Sequence, residues 1–243
     1  MPSSMTRRAC MKPSVVLIHG AFADSASWDG VVAALLGQDY PVIAWANPLR
    51  GVAADAEQLT ALLRSIPGKI VLVGHSYGGA VMTNVPVDAG EVTGLVFVAG
   101  FALAPGESCA EASSLVSGGT LGDTLRTVPL PGGGTDVYIA QDRYHAQFAA
   151  DLSAEASATM AATQRPITEA ALSEPSGSTA LWQALPSWFI FGELDHNIPA
   201  GAHQIMADRA KAQKVVEVAG ASHVVGISHP DEVTAMIAAA AGL

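Results

Sequence analysis

The sequence predicts an α/β fold in which a mainly parallel six-stranded sheet carries helices on both faces. Short runs of branched apolar residues alternate with segments of helical spacing up to residue 103, and the alternation resumes at residue 186. This order is typical of parallel strands joined by crossover helices. Half of the 243 residues are hydrophobic and only 14% are charged, so one domain of this length can bury a sizeable core.

The first part of the chain supplies four strands and three helices. Val31, Val32, Leu35 and Leu36 share one face of the first helix. Pro86 ends the third helix, since proline cannot continue the hydrogen-bond ladder. The predicted elements are strand 14–18, helix 28–36, strand 41–45, helix 52–66, strand 70–76, helix 77–85 and strand 92–101.

The alternation stops in the middle of the chain and then returns. Residues 104–185 contain loop-like stretches at 118–119 and 129–134 and an alanine-rich helical pattern over 144–163. This segment leaves the sheet at a carboxyl end, where open α/β sheets bind ligands, which favours a lid over a mere surface excursion. After it come strand 187–192, helix 200–210, strand 214–218 and helix 230–241. The expected organisation is a flexible tail (1–13), a core (14–103 and 186–243) and a mostly helical lid insertion (104–185).

Composition limits the classes of partner. The formal net charge is −10; Arg7, Arg8 and Lys12 lie in the tail, so the rest of the chain has 9 basic and 22 acidic residues, or −13. Such a charge argues against binding to nucleic acid or to an anionic membrane. No apolar run approaches the roughly 18 residues of a membrane span, and two cysteines indicate no disulfide framework. We expect a cytoplasmic monomer or homodimer that binds a small molecule.

The stretch Gly74-His75-Ser76-Tyr77-Gly78 has the pattern of a nucleophile elbow, which is a strand, a tight turn and a helix with serine at the apex. Glycines two residues before and after the serine are expected because side chains there would collide. The helix that follows directs its positive end and free N–H groups towards the serine, where an oxyanion would form.

A serine hydroxyl needs a base, and the base needs an acid that holds its tautomer. Ser76, Asp195 and His223 each follow the carboxyl end of a predicted strand, and they occur in the order typical of this arrangement. His196 is the main rival for the base, and Glu193 could replace Asp195 as the acid. We therefore predict a catalytic triad of Ser76, Asp195 and His223.

The amides of Tyr77 and Ala21 are the candidates for an oxyanion hole. Several apolar side chains could line the substrate pocket, although packing in the core is at least as good an explanation for each aromatic one. No His, Cys, Asp and Glu set has the spacing of a metal site, so neither a metal nor a cofactor is expected. The candidate lining residues are Phe22, Trp28, Phe101, Tyr144, Phe148, Trp182 and Val224.

These motifs make the chain resemble the α/β-hydrolase superfamily, in its bacterial carboxylesterase branch, and it is similar to small-lidded methylesterases, pyrethroid-type hydrolases and hydroxynitrile lyases. The matching residues are 19–22 (His-Gly-Ala-Phe), 74–79 (Gly-His-Ser-Tyr-Gly-Gly), Asp195 with Ile198-Pro199, and Ser222-His223 with His229-Pro230. Dehalogenases and epoxide hydrolases of this fold have aspartate where Ser76 stands. Plant-type hydroxynitrile lyases have lysine where Val224 stands. Dehalogenation, epoxide hydrolysis and cyanohydrin cleavage are therefore disfavoured.

The resemblance implies a cofactor-free serine esterase that cleaves small to medium, largely apolar esters through an acyl-enzyme. Lactone hydrolysis, C–C bond hydrolysis and perhydrolysis could use the same triad and stay open. A different class, a ligand receptor on a hydrolase scaffold, also stays open.

Overall fold

The structure is a computed structural model and describes residues 12–242, so most of the predicted tail lies outside it. The strands are β1 (Ser14–Ile18), β2 (Val42–Trp45), β3 (Lys69–His75), β4 (Glu91–Val98), β5 (Leu125–Pro129), β6 (Thr135–Ile139), β7 (Ile167–Thr168), β8 (Ser187–Gly192) and β9 (Lys214–Val218). The α-helices are α1 (Asp29–Leu36), α2 (Val52–Leu63), α3 (Tyr77–Thr83), α4 (Cys109–Ser113), α5 (Gln141–Phe148), α6 (Ala154–Thr163), α7 (Glu169–Ser173), α8 (Ala200–Arg209), α9 (Val225–Ser228) and α10 (Pro230–Ala241). Among residues 12–242, no helix combines the length and apolarity that crossing a bilayer requires.

The central sheet has the strand order β2-β1-β3-β4-β8-β9, and all of its pairs are parallel. Its inner strands are almost wholly buried because branched or aromatic apolar residues occupy both of their faces. Helix α3 packs on β3 together with α2, while α10 packs on β3 and β4 together with α1. The two helix pairs thus cover opposite faces, and the predicted α/β fold class is confirmed.

The segment 104–185, called the insertion below, leaves the sheet after β4 and returns at β8. It contains α4 to α7, as well as a three-stranded antiparallel sheet in the order β5-β6-β7 that the sequence pattern did not predict. Strand β5 is largely exposed and β7 has two residues, so neither carries a clear burial signal. The predicted helix 144–163 is two helices, because Ser153 accepts a hydrogen bond from the Ala156 amide and begins α6 anew.

The insertion is fastened to the core beside the carboxyl ends of β1 to β3. The Glu174 carboxylate accepts hydrogen bonds from the amides of Val52 (2.6 Å) and Ala53 (3.1 Å) at the start of α2. Arg50, in the loop before α2, donates to Asp136 on β6 at 2.6 Å. A carboxylate at a helix N-terminus is favourable for both its hydrogen bonds and the helix dipole. These contacts place the insertion over the end of the sheet where the predicted site residues lie.

Candidate active site

Ser76 lies at the sharp turn between β3 and α3, with φ 52° and ψ −123°. This left-handed φ is strained for a residue with a side chain. The turn is sterically possible because Gly74 and Gly78 allow close backbone contact. A Cβ on Gly74 would lie 2.7 Å from Gly79 Cα, and a Cβ on Gly78 would lie 2.3 Å from Ile18 O. Gly20 also packs here, since a Cβ there would lie 2.6 Å from Ser76 Cβ. The sequence motif around Ser76 does not include Gly20, which reaches the serine from the loop after β1.

Asp195 and His223 form a buried pair at the ends of β8 and β9. His223 Nδ1 donates to Asp195 Oδ2 at 2.7 Å, and both side chains are fully buried. Burial alone would raise the pKa of Asp195, but the charge of His223 and the hydrogen bonds from histidines outweigh it, so the pKa lies well below its usual range. His223 Nε2 has no hydrogen-bond partner among the described residues. A histidine in this state can accept a proton at Nε2.

The rival residues take other positions. Glu193 is exposed, and its carboxylate accepts a hydrogen bond from the Gly220 amide at 2.9 Å. His196 is also exposed, although it directly follows Asp195. The structure therefore pairs Asp195 with His223 and leaves Glu193 and His196, the alternative acid and the alternative base, outside this buried pair.

A cavity of about 250 Å³ has Ser76 in its wall. Ala21 and Tyr77, whose amides are the candidate oxyanion donors, line this cavity. Two of the candidate lining residues, Phe22 and Phe101, line it as well. The rest of its wall is mainly apolar and comes chiefly from the insertion. These further residues are Cys109, Ala110, Ser113, Ser114, Leu121, Gly122, Leu125, Leu172, Asn197 and Ile198.

The other candidate lining residues do not line this cavity. Trp28 and Val224 border a small space behind His75. Tyr144 donates its hydroxyl hydrogen bond to Phe22 O at 2.7 Å. Phe148 packs with its ring centroid 5.1 Å from that of His223. Trp182 Nε1 donates to Leu103 O at 2.8 Å.

The two candidate oxyanion donors, Ala21 and Tyr77, both line the cavity that holds Ser76. Tyr77 is the first residue of α3, and the first N–H groups of a helix have no partner within it. The Ala21 amide donates to no acceptor among residues 12–242, whereas the next amide, of Phe22, donates to Arg165 O at 3.1 Å. The Tyr77 ring is fixed by its hydroxyl, which donates to Asp55 Oδ2 at 2.9 Å.

The insertion also holds the loops that carry Asp195 and His223. Ser222 Oγ, next to His223, donates to Asp151 Oδ1 at 2.5 Å and lies 3.2 Å from Phe148 O. Gln147 Nε2 donates to Asn197 Oδ1 at 2.8 Å. Both donors and acceptors are buried or half-buried, so these bonds are shielded from water. The site thus depends on the insertion for support as well as for its cavity wall.

Two further histidines, His19 and His75, are buried and uncharged. His19 Nε2 accepts from the Asn47 amide at 3.0 Å, joining the loops after β1 and β2. His75 Nε2 donates to His223 O at 3.1 Å. Burial is the main cause that lowers the pKa of His19 from 6.5 to about 4 and that of His75 to about 3.

These two histidines predict a loss of stability in mild acid. Because both native pKa values lie below 6.5, the unfolded chain takes up protons first as the pH falls. Their contribution is complete above pH 6.5 and decreases below it, by roughly 2 kcal/mol for each histidine between pH 7.5 and pH 5. Urea unfolding at pH 7.5, 6.5 and 5 measures this directly. An unfolding free energy that stays constant over that range would contradict it.

Comparison with known proteins identifies the family of the chain. The alpha/beta hydrolase family matches residues 15–236, and the chain belongs to that family. No curated protein matches the sequence. Within residues 12–242, no three His, Cys, Asp or Glu side chains are grouped as metal ligands.

Solved structures with the same fold cover nearly the whole chain. Polyneuridine aldehyde esterase has a TM-score of 0.76 and 19% identity, over 94% of this chain and 99% of that chain. A pyrethroid hydrolase from Sphingobium faniae JZ-2 has a TM-score of 0.72 and 20% identity, over 95% and 97%. Methylesterase MES16 from Arabidopsis has a TM-score of 0.74 and 14% identity, over 95% and 99%. The resemblance to the superfamily is confirmed; at these identities the likeness concerns the fold.

Proposed function

We propose that the chain is a serine hydrolase that cleaves carboxylic esters through an acyl-enzyme. The observation that carries the proposal is the buried His223–Asp195 pair, in which Nε2 has no hydrogen-bond partner among the described residues, together with a strained serine in the wall of a cavity. A buried carboxylate that accepts Nδ1–H keeps Nε2 unprotonated and basic. This is the state that a general base for a serine requires.

In the proposed reaction, Ser76 Oγ attacks the ester carbonyl carbon while His223 Nε2 takes the hydroxyl proton. Asp195 stabilises the imidazolium that forms, and the amides of Ala21 and Tyr77 bind the oxyanion. Collapse of the tetrahedral intermediate breaks the bond to the alcohol, which leaves with the proton from His223. Water, activated by His223 in the same way, then hydrolyses the acyl-enzyme and releases the acid.

The cavity supports small to medium, largely apolar substrates. Its volume of about 250 Å³ lies just below the range of roughly 300 to 1,000 Å³ for pockets that enclose drug-sized ligands. Ser113, Ser114 and Asn197 add polar groups to an otherwise apolar wall. Proteins of the same fold are named an esterase, a pyrethroid hydrolase and a methylesterase, which accords with ester cleavage.

Two measurements test the proposal. The first is hydrolysis of p-nitrophenyl esters from acetate to laurate, for which we expect the highest kcat/KM among the shorter acyl chains and a decline once the chain exceeds the cavity. The second is intact mass and peptide mapping after treatment with a fluorophosphonate, for which we expect one adduct on Ser76. A protein that hydrolyses none of the esters and forms no adduct on Ser76 would contradict the proposal.

A further inference from the structure

A second histidine contacts the carboxylate of Asp195. His203, on α8, has its Nε2 3.2 Å from Asp195 Oδ2, the same oxygen that accepts the hydrogen bond from His223 at 2.7 Å. Its ring is stacked on Phe191, with centroids 4.8 Å apart and planes 19° apart. The side chain is fully buried, so its orientation is set by packing and by this one polar contact.

The surroundings define the protonation state of His203. An ionised carboxylate only accepts hydrogen bonds, so Nε2 must carry the proton and donate it to Asp195. The other nitrogen, Nδ1, is buried and has no partner among the described residues. Burial, the largest cause, lowers the pKa of His203, which keeps the ring neutral. His203 is thus a neutral N–H donor held against the acid of the proposed triad.

Asp195 consequently has all its hydrogen bonds from fixed donors. Oδ1 accepts from the amides of Asn197 (2.8 Å) and Ile198 (2.9 Å), while Oδ2 accepts from the two histidines. Four donors leave the carboxylate one orientation. Each donor also stabilises the negative charge, so the donation from His203 makes Asp195 a weaker partner for a positively charged His223.

We propose that His203 is a positioning residue for the proposed triad: through Asp195 it orients the His223 imidazole and decreases the proton affinity of that ring. The inference rests on the proposed function. Four titratable groups surround His223. Asp195 after β8 accepts its hydrogen bond, and His203 on α8 contacts Asp195. The ring of His75 on β3 has its centroid 4.9 Å from that of His223, and Asp151 of the insertion accepts a hydrogen bond from the neighbouring Ser222. His75 is neutral near pH 7, since its pKa is about 3.

The test compares His203→Phe, which keeps a ring against Phe191 and has no donor, with His203→Gln, which keeps an N–H donor. The readout is kcat/KM for p-nitrophenyl acetate against pH. Without the donor, Asp195 stabilises the His223 imidazolium more strongly, so the acidic limb moves to higher pH. For His203→Phe we expect a shift of about one pH unit, which lowers kcat/KM about tenfold on that limb. For His203→Gln we expect a limb close to that of the unmodified protein.

A purely structural role gives a different result. A folded His203→Phe protein with an unmoved acidic limb, or with an equal loss at every pH, would overturn the proposal. His145→Phe, at an exposed position on α5, is the matched control and should leave the profile unchanged. If His203→Phe does not fold, His203→Leu removes the donor with a smaller side chain and replaces it in the comparison.

A measurement without turnover separates this inference from the proposed function. The His223 ring can be titrated by NMR in the unmodified protein and in the two variants. We expect its pKa to be higher in His203→Phe than in the other two proteins. If no ester is hydrolysed but this difference is found, the proposed function fails and the role of His203 stands. If the three pKa values agree, the role of His203 fails whatever the activity.

Discussion

Ser76→Ala is expected to lower kcat for p-nitrophenyl acetate by about 10⁴-fold to 10⁶-fold, because the variant has no Oγ to form the acyl-enzyme. Folding should be unaffected. Ser76 Oγ makes no hydrogen bond among the described residues, and alanine meets the positive φ of this turn with a side chain no larger than that of serine. Equal thermal midpoints with and without the substitution would separate a lost nucleophile from a lost fold.

Ser113→Ala and Ser114→Ala are the matched controls for this prediction. Both serines line the same cavity as Ser76, but neither lies at the turn between β3 and α3. We expect each control to lower kcat by less than about tenfold, because the loss of a wall hydroxyl can weaken substrate binding but leaves the nucleophile in place. A Ser76→Ala protein that retains a tenth or more of the activity would mean that another group is the nucleophile.

Much of the fold and the core of the candidate site can be predicted from local signals. A parallel strand buried on both faces is a run of branched residues, and the groups that follow such strands meet at one edge of the sheet. Ser76 and Asp195 follow the buried strands β3 and β8, and His223 follows the half-buried edge strand β9. The elbow glycines add a second local signal, since Gly74 and Gly78 stand where a side chain would meet backbone atoms.

The wall of the cavity could not be predicted in the same way. Leu121, Leu125 and Leu172 line it from the insertion, where short elements are ordered by contacts with the core rather than by periodicity. The aromatic candidates show the same limit: Phe22 faces the cavity, while Phe148 packs against His223. The sequence pattern indicates that an aromatic ring will be buried, but only long-range packing determines which residues that ring contacts.

His203 falls within the predicted helix 200–210, and the sequence pattern assigns it no role. It lies eight residues after Asp195. Because α8 begins only after Pro199, Asp195 is not on the same helix and no spacing rule relates the two side chains. The contact arises because α8 packs on β8 and turns its buried face towards the end of that strand. A histidine within a predicted helix is the available signal, and it does not by itself distinguish a core residue from a partner of the acid.

Asp195→Asn is expected to lower kcat by about 10⁴-fold while the fold is kept. The amides of Asn197 and Ile198 donate to Oδ1, so the carbonyl oxygen of the new asparagine will stay on that side. Its NH₂ group then takes the place of Oδ2 and faces His223 Nδ1. That nitrogen must become the acceptor, which moves the ring proton to Nε2. In this tautomer His223 has no lone pair for the Ser76 proton.

Glu193→Gln is the matched control for Asp195→Asn, because Glu193 is the nearest other acid along the chain and the sequence left it open as an alternative. Its carboxylate is exposed and accepts from the Gly220 amide, an interaction that glutamine can retain. We expect nearly unchanged kcat for this control, measured with the same ester at pH 7.5. The reverse ranking, with activity lost in Glu193→Gln and kept in Asp195→Asn, would assign the acid to Glu193. Because both substitutions replace a carboxylate by an amide of equal size, the comparison holds side-chain volume constant, and the loss in Asp195→Asn reports the changed hydrogen bonds of His223 and His203.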